Sequence, residues 1–597
     1  MPYVLICPRC KRIHTKKEYV EKWLCRQCGT YIPQNAKTLR ADFEIERLKK
    51  EKIEPDKIKK LETYIKPPSE LTIEDVLNRF PSESLRSYQK EIIIQAVEAF
   101  QTGKKCIILA APTGFGKSYV NAAFSSTTKS FYATPQIVLI DQILKDPLLR
   151  SRFVEIKGRQ NYRCHYQVNR SVNMGKCVTE FYPCKERYDY CPYWMKKREA
   201  QRAQSILSSF AYLLAEGQTE GKSETYLGKR DLLILDEAHN IEEQALNHIL
   251  VKVNPFTIPY KIYDQILPQL REVITEVQLK EFLEKLEDRL QKILDKSKII
   301  TESTGLSVEQ AEDNERIERY LDNYNLYKNS KSEWVWQIEN DQLTLQPVFA
   351  REFMKQLLWK RAEHYIISSA TILDPIEYAS LSGLSDLLQE DEICFLQVPS
   401  TFPAENRPVI DKVVGPLSMQ EWENNKDRAL QAVEEILREE QGNVAIHCHS
   451  YRHQQWLVEN ISEDLKPRLI THSSRDRERR LNEWMHSSGK VFVSVAFNEG
   501  QDWKYDLCDA QILLKVPFPY LGDRRVERRL NLGLNQWYKN YAMSEVIQAY
   551  GRAIRAEDDK ARFYIVDGSF IGLLRDCWRF MPDWFKEALP QTFKLYY

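Results

Sequence analysis

The chain has 597 residues, 43% of them apolar, which is enough for several domains with cores of their own. Its 86 basic and 85 acidic residues leave a net charge of +1, so no global field draws it to nucleic acid and any such surface has to be local. No apolar run approaches the roughly 18 residues that cross a bilayer, and MPYVLICPRC carries no basic leader, so the expected setting is intracellular, without membrane contact.

Thirteen cysteines in that setting suggest metal before disulfides. The first four, Cys7, Cys10, Cys25 and Cys28, form two Cys-x2-Cys pairs separated by fourteen residues. Two close thiolate pairs on two turns complete a tetrahedral zinc site and stabilise a module too small for its own core. Residues 1–40 are therefore read as a zinc ribbon, serving either as a docking module for a nucleic acid or protein or as a cap on the fold. Residues 41–70 are heavily charged, interrupted by Pro55 and closed by IKPPSE, and are read as a linker.

A helix-rich stretch from Leu71 leads to the apolar run 106–110 and then to APTGFGKS. Strand, glycine loop and helix N-terminus bring backbone N–H groups onto an anion, as a phosphate-binding loop requires. Ala111 replaces the usual first glycine, while Thr113, Gly114, Gly116, Lys117 and Ser118 keep the pattern. Lys117 is placed to reach the β- and γ-phosphates, and Ser118 to hold Mg²⁺. FYATPQIVLIDQIL reads as strand, turn and helix. DLLILDEAHN reads as a buried strand delivering Asp236, a second Mg²⁺ ligand, and Glu237, which is placed to activate water. ATP hydrolysis follows from the two motifs together.

Between them lies a second cysteine set, Cys164, Cys177, Cys184 and Cys191, with gaps of twelve, six and six. It contains no Cys-x-x-Cys, and spacing alone leaves its metal open. The surrounding residues 157–202 hold eleven Lys or Arg against four Asp or Glu, with eight aromatics: Tyr162, Tyr166, Phe181, Tyr182, Tyr188, Tyr190, Tyr193 and Trp194. Positive charge tracks phosphates and aromatic faces stack unpaired bases; the alternative is that the aromatics form the core of a small domain. The remaining cysteines, Cys106, Cys394, Cys448, Cys508 and Cys577, read as packing residues.

From 246 to 347, Leu279, Phe282, Leu283, Leu286, Leu290, Ile293 and Leu294 recur at helical spacing, so this stretch is read as a helical insertion. The α/β alternation returns from 402 to 597. NVAIHCHS, KVFVSVAF, AQILLKVPF and ARFYIVDG are predicted strands, and RHQQWLVENI, RDRERRLNEWMH and SEVIQAYGRAIR predicted helices. In QAYGRAIR, Arg552 and Arg555 are expected on one helix face, from which both could point at a γ-phosphate held by the first domain; by themselves they read as ordinary arginines of a surface helix.

APTGFGKS, DEAH, SAT (Ser369, Ala370, Thr371), EGQD and QAYGRAIR stand in the order of superfamily 2 helicases over residues 86–570. With KGRQNYRC, CPYW, VPFPY and the long insertion, the chain resembles the XPD/DinG family of iron–sulfur helicases more narrowly. The resemblance implies an α/β fold of two recombinase-like parallel-sheet domains. The first domain spans 71–156, 203–245 and 348–401, and 402–597 form the second. An iron–sulfur domain over 157–202 and a helical arch over 246–347 are inserted in the first. It implies a [4Fe–4S] cluster on the second cysteine set and a tolerated Ala111. Arg86 and Gln89 would recognise adenine, and His239 with Ser369–Thr371 would couple hydrolysis to movement. Gln548, Arg552 and Arg555 would close on the nucleotide, and Glu499, Gly500 and Asp502 would sit near nucleotide and DNA. The expected activity is ATP-driven translocation on single-stranded DNA in the 5′ to 3′ direction, with unwinding of tailed duplex DNA in DNA repair or related processing. The expected cofactors are ATP, Mg²⁺, [4Fe–4S] and Zn²⁺, and the expected setting is a cytoplasmic or nucleoid-associated monomer. Rival readings are a remodeller that never separates strands and a zinc-ribbon docking platform switched by ATP.

Overall fold

The computed structural model describes residues 65–179, 190–218, 226–303, 305–495, 507–554 and 559–595, with the backbone of four short strands before residue 65. Those strands pair as two antiparallel hairpins, Tyr3–Ile6 with Ile13–Lys16 and Trp23–Leu24 with Tyr31–Ile32. Cys7, Cys10, Cys25 and Cys28 lie outside the described residues.

The first α/β domain is built on β1 (Cys106–Ala110), β2 (Ser130–Thr134), β3 (Val154–Glu155), β4 (Ser205–Ser209) and β5 (Arg230–Asp236). After the long insertion come β9 (Ala362–Ser369) and β10 (Ile393–Gln397). The seven strands run parallel in the order β10-β1-β9-β5-β2-β4-β3. Alternate residues feed opposite faces, as the pleat dictates. Cys106, Ile108, Phe131, Ala133, Leu233 and Leu235 pack in one core, and Ile107, Leu109, Tyr132, Leu232 and Ile234 in the other. A sheet covered on both faces needs apolar strands throughout, which is why these segments read as apolar runs without alternation.

The order has a functional consequence. β9 lies between β1 and β5, with Ser369 opposite Ala110 and Ser368 opposite Asp236. The loop after β1, the carboxylates after β5 and the SAT segment after β9 therefore emerge side by side at the carboxyl edge, where ligands of parallel sheets bind.

The inserted region holds α5 (Tyr260–Arg271), α6 (Glu276–Ser303) and α7 (Val308–Asn329). Leu279, Leu283, Leu286 and Leu290 of α6 are buried, as their spacing predicts. The region is not all helical, however. β6 (Val251–Val253), β7 (Trp334–Glu339) and β8 (Gln342–Pro347) form an antiparallel sheet in the order β6-β8-β7. WVWQIE and QLTLQP meet through Asn340 and Asp341, both at positive φ (49° and 63°), as the tightest hairpin turns require.

The second α/β domain carries a parallel sheet in the order β11-β16-β15-β12-β14-β13. Its strands are β11 (Val409–Gly415), β12 (Val444–His447), β13 (Leu469–Thr471), β14 (Val491–Ser494), β15 (Ala510–Leu513) and β16 (Arg562–Asp567). β11 and β13 add to the four predicted strands: β11 is broken by Asp411 and Lys412, and β13 is three residues long, so neither forms an apolar run. Among the described residues no helix is long and apolar enough to cross a membrane.

Candidate functional site

The loop after β1 turns on Gly114 and Gly116, at φ +81° and +86°, and enters α2 (Lys117–Ser125) with Gly116 as its cap. These left-handed conformations suit glycine, and the space is closed as well: a Cβ on Gly116 would meet the Gln89 amide at 2.6 Å. Gln89, the first residue of α1 (Gln89–Gln101), is buried; its Nε2 donates to Phe115 O at 2.8 Å and its Oε1 accepts the Arg86 N–H at 2.8 Å. The Arg86 guanidinium donates to Gly114 O. The two residues expected at adenine thus brace the loop from behind. Ala111 is fully buried, and its N–H donates to Ser369 O at 3.0 Å, tying the loop to β9.

Lys117 Nζ donates to Ala111 O at 3.1 Å and pairs with Glu237 Oε1 at 3.6 Å. Ser118 Oγ donates to Asp236 Oδ2 at 3.5 Å, and the same oxygen accepts the buried Tyr132 hydroxyl at 2.8 Å. Burial first, and Glu237 second, push the Asp236 carboxyl up to about 6 against the pull of Lys117. Tyr132 was not identifiable as a site residue from sequence, because a tyrosine inside FYAT reads only as strand core. Glu237 sits at φ 51°, a conformation that costs a non-glycine residue energy and turns the chain away from β5 toward the loop. His239 Nδ1 lies 2.8 Å from Ser369 Oγ and 3.5 Å from Glu237 Oε2. Burial holds the imidazole below its ordinary range; Glu237 opposes this, and the Lys117 and Arg552 cations reinforce it.

The second domain completes the cleft. Gln548, near the end of α9 (Asn535–Tyr550), donates to Thr371 Oγ1 at 2.8 Å and lies 3.3 Å from His239 Nε2. Thr113 Oγ1 donates to Gly551 O at 2.9 Å, a direct link between phosphate loop and second domain. α9 stops at Tyr550, so the expectation that Arg552 and Arg555 share a helix face is corrected. Gly551 ends the helix, and Arg552 follows it, buried. Arg555, Glu499, Gly500 and Asp502 lie outside the described residues.

Beside the cleft, Glu377 accepts from Asn540 Nδ2 at 3.0 Å, and its pKa is pushed up to about 7, by burial first and then by Asp374 and Glu242. The folded value lies above the ordinary 4.5, so the group is neutral without penalty below about pH 4.5 and costs stability progressively as pH rises through 7. Glu377→Gln should raise stability by on the order of 1–3 kcal/mol at about pH 8 and by little at about pH 5. Thermal melts at both values check this, and an equal shift at the two would overturn it.

In the segment after β3, Cys164 is buried against Gly175, where a Cβ would come within 2.9 Å of its Sγ. Cys177 lies in the short helix Lys176–Thr179 and Cys191 caps α3 (Pro192–Arg202). Cys184 is outside the described residues, as are Phe181, Tyr182 and Tyr188. Among the described residues no group of three or more His, Cys, Asp or Glu gathers as a metal site, and Cys164, Cys177 and Cys191 are not in disulfides. Three of the four cysteines expected to hold a cluster are thus present as free thiols in this segment, and no chemical step is routed through a cluster. The described aromatics divide: Tyr193 is buried, with Tyr162 at 5.6 Å and Trp194 at 5.0 Å between ring centroids, whereas Tyr166 and Tyr190 are exposed beside His165.

The phosphate loop, the Asp-Glu pair and the His–Gln contact thus lie together where two parallel-sheet domains meet. A family profile described as "Type III restriction enzyme, res subunit" matches residues 82–262, and one described as "Helicase C-terminal domain" matches 433–588. The chain is 26% identical over 238 residues to the ATP-dependent DNA helicase DinG of Photobacterium profundum, covering 36% of this chain and about a third (33%) of that protein. Its fold is similar to an XPD helicase (TM-score 0.61, 15% identity, 85% of this chain and 100% of that one). It is also similar to an apo XPD structure (TM-score 0.54, 16% identity, 84% and 98%). The chain thus spans about a third (33%) of the DinG relative, and its likeness to the XPD structures is one of fold.

Proposed function

We propose that the chain is an ATP-dependent DNA helicase that translocates 5′ to 3′ on single-stranded DNA and unwinds tailed duplex. The observation that carries this reading is the bridge from Gln548 to Thr371 and His239, beside Lys117, Asp236 and Glu237, which brings both α/β domains onto one phosphate site. Lys117 neutralises phosphate charge, Glu237 takes a proton from the attacking water, and Arg552 stabilises charge from the second domain. The Asp236 carboxylate and Ser118 hydroxyl, 3.5 Å apart, suit a hard cation that keeps several waters, as Mg²⁺ does. Bound there, Mg²⁺ would offset charge on the phosphates. His239, neutral and hydrogen-bonded to Ser369, passes a change at Glu237 to the SAT segment and Gln548.

The exposed Tyr166 and Tyr190 in a basic segment support single-strand stacking there. A [4Fe–4S] cluster on Cys164, Cys177, Cys184 and Cys191, zinc on the first four cysteines, a partner for the zinc ribbon, a monomeric state and an intracellular role in DNA repair belong to the same reading. Anaerobically purified protein should contain about four irons and about one zinc per chain; two zincs and no iron would overturn the cluster. ATP turnover with and without single-stranded DNA, and unwinding of 5′- against 3′-tailed duplexes, test the activity. Single-strand-stimulated turnover without strand separation would refute the helicase.

A further inference from the structure

A second set of contacts joins the domains outside the nucleotide cleft. α8 (Arg524–Asn531) is eight residues long, and three of its arginines reach glutamates on other parts of the chain. Arg529, 1% exposed, donates to Glu242 at 2.5 and 3.2 Å and to Val348 O at 2.9 Å. Its guanidinium lies 4.9 Å from the Phe349 ring and 4.5 Å from that of Trp537. Arg525 donates to Glu243 at 2.9 Å. Arg528 donates to Glu333 at 2.6 and 3.2 Å, and Gln346 Nε2 donates to the α8 cap Asp523 at 3.4 Å. Arginine's planar fork matches carboxylates in this way where a lysine would act only as a point charge.

The placement of these partners gives the contacts meaning. Glu242 and Glu243 occupy the first turn of α4 (Ile241–Ile249), which begins directly after the turn carrying His239. Glu333 adjoins β7, and its carbonyl accepts the Val348 N–H at 2.9 Å, so Arg528 holds the root of the inserted hairpin. α9 follows α8 after three residues and ends on the Gln548 contact. One short helix pair therefore touches the nucleotide cleft at one end and α4 and the insertion at the other.

We infer that α8 is an ion-pair latch, in which Arg525 and Arg529 are positioning residues that hold α4, and with it Glu237 and His239, against the second domain. Arg528 ties the same helix to the insertion. The inference rests on the proposed reading of the cleft: a movement of Gln548 with the nucleotide cycle carries α8 along and is delivered to the insertion as well as to Glu237. Packed elements with discrete contacts transmit motion in this way. The Arg529–Glu242 pair, 1% and 16% exposed, is less sensitive to salt than the outer pairs, whose Glu243 and Glu333 are 44% and 47% exposed.

The Arg525–Glu243 pair is the one to test, because Glu243 lies at the rim and its replacement leaves the core intact. Arg525→Glu and Glu243→Arg should each lower kcat about tenfold with ATP Kd within a few-fold, and the double variant should recover wild-type kcat to within a few-fold. Energy transfer between dyes on the two α/β domains should fall in each single variant and return in the double, and this readout needs no hydrolysis. Single variants with wild-type transfer and kcat would overturn the latch, as would a double variant no better than the singles. Wild-type protein with high transfer but no ATP turnover would instead overturn the helicase reading.

Discussion

Glu237→Gln is expected to lower ATP turnover by on the order of 10²–10⁴-fold while ATP affinity stays within a few-fold. The carboxylate sits at the carboxyl edge of β5, turned by its positive φ toward the loop, 3.6 Å from the Lys117 ammonium. Glutamine keeps the size and the hydrogen-bonding reach but cannot accept a proton from water. The loop contacts that hold phosphate, through Gly114, Gly116 and Lys117, do not pass through this side chain. Lys117→Ala is expected to weaken binding and turnover together, because the ammonium serves both ground and transition states. Turnover by single-turnover kinetics and affinity by a fluorescent nucleotide separate the two. Wild-type turnover in the glutamine variant would overturn the assignment of the base.

The second large effect is expected at Arg552. A cation supplied across a domain interface to a transferring phosphoryl group contributes on the order of 10³–10⁵ in rate. Arg552 is buried and directly follows Gly551, whose carbonyl accepts the Thr113 hydroxyl of the phosphate loop at 2.9 Å. Arg552→Ala should lower kcat by on the order of 10³ with ATP affinity within a few-fold, and Arg552→Lys should recover little, because an ammonium lacks the planar fork. A thermal melt within a few degrees of wild type excludes unfolding as the cause. Wild-type kcat in the alanine variant would remove Arg552 from the site.

The substitutions at Glu237 and Arg552 draw on different levels of information. Glu237 was legible because APTGFGKS and DEAH are local: each is a few consecutive residues whose backbone geometry follows from glycine, an apolar strand and a helix start. The same holds for the α/β alternation, since strands buried on both faces have to be apolar, and for the inward stripe of α6, from Leu279 to Leu290. Even the hairpin of the insertion had its signal in the alternation around Asn340 and Asp341, which the helical stripe nearby outweighed.

The residues in their linear order were thus enough for the local motifs, their succession, and the two-domain α/β class that follows from them. Docking of whole elements was needed to insert β9 between β1 and β5 and so set Ser369 beside His239. It also brought Tyr132 to Asp236 and Gln89 behind the loop, and the folded chain ends α9 before Arg552. The same docking paired Arg525, Arg528 and Arg529 with glutamates 282, 195 and 287 positions away. The difference is one of range. Backbone conformation and burial pattern are set by neighbours along the chain, whereas strand order and ion-pair partners are settled when whole elements dock, and residue spacing carries no record of that docking.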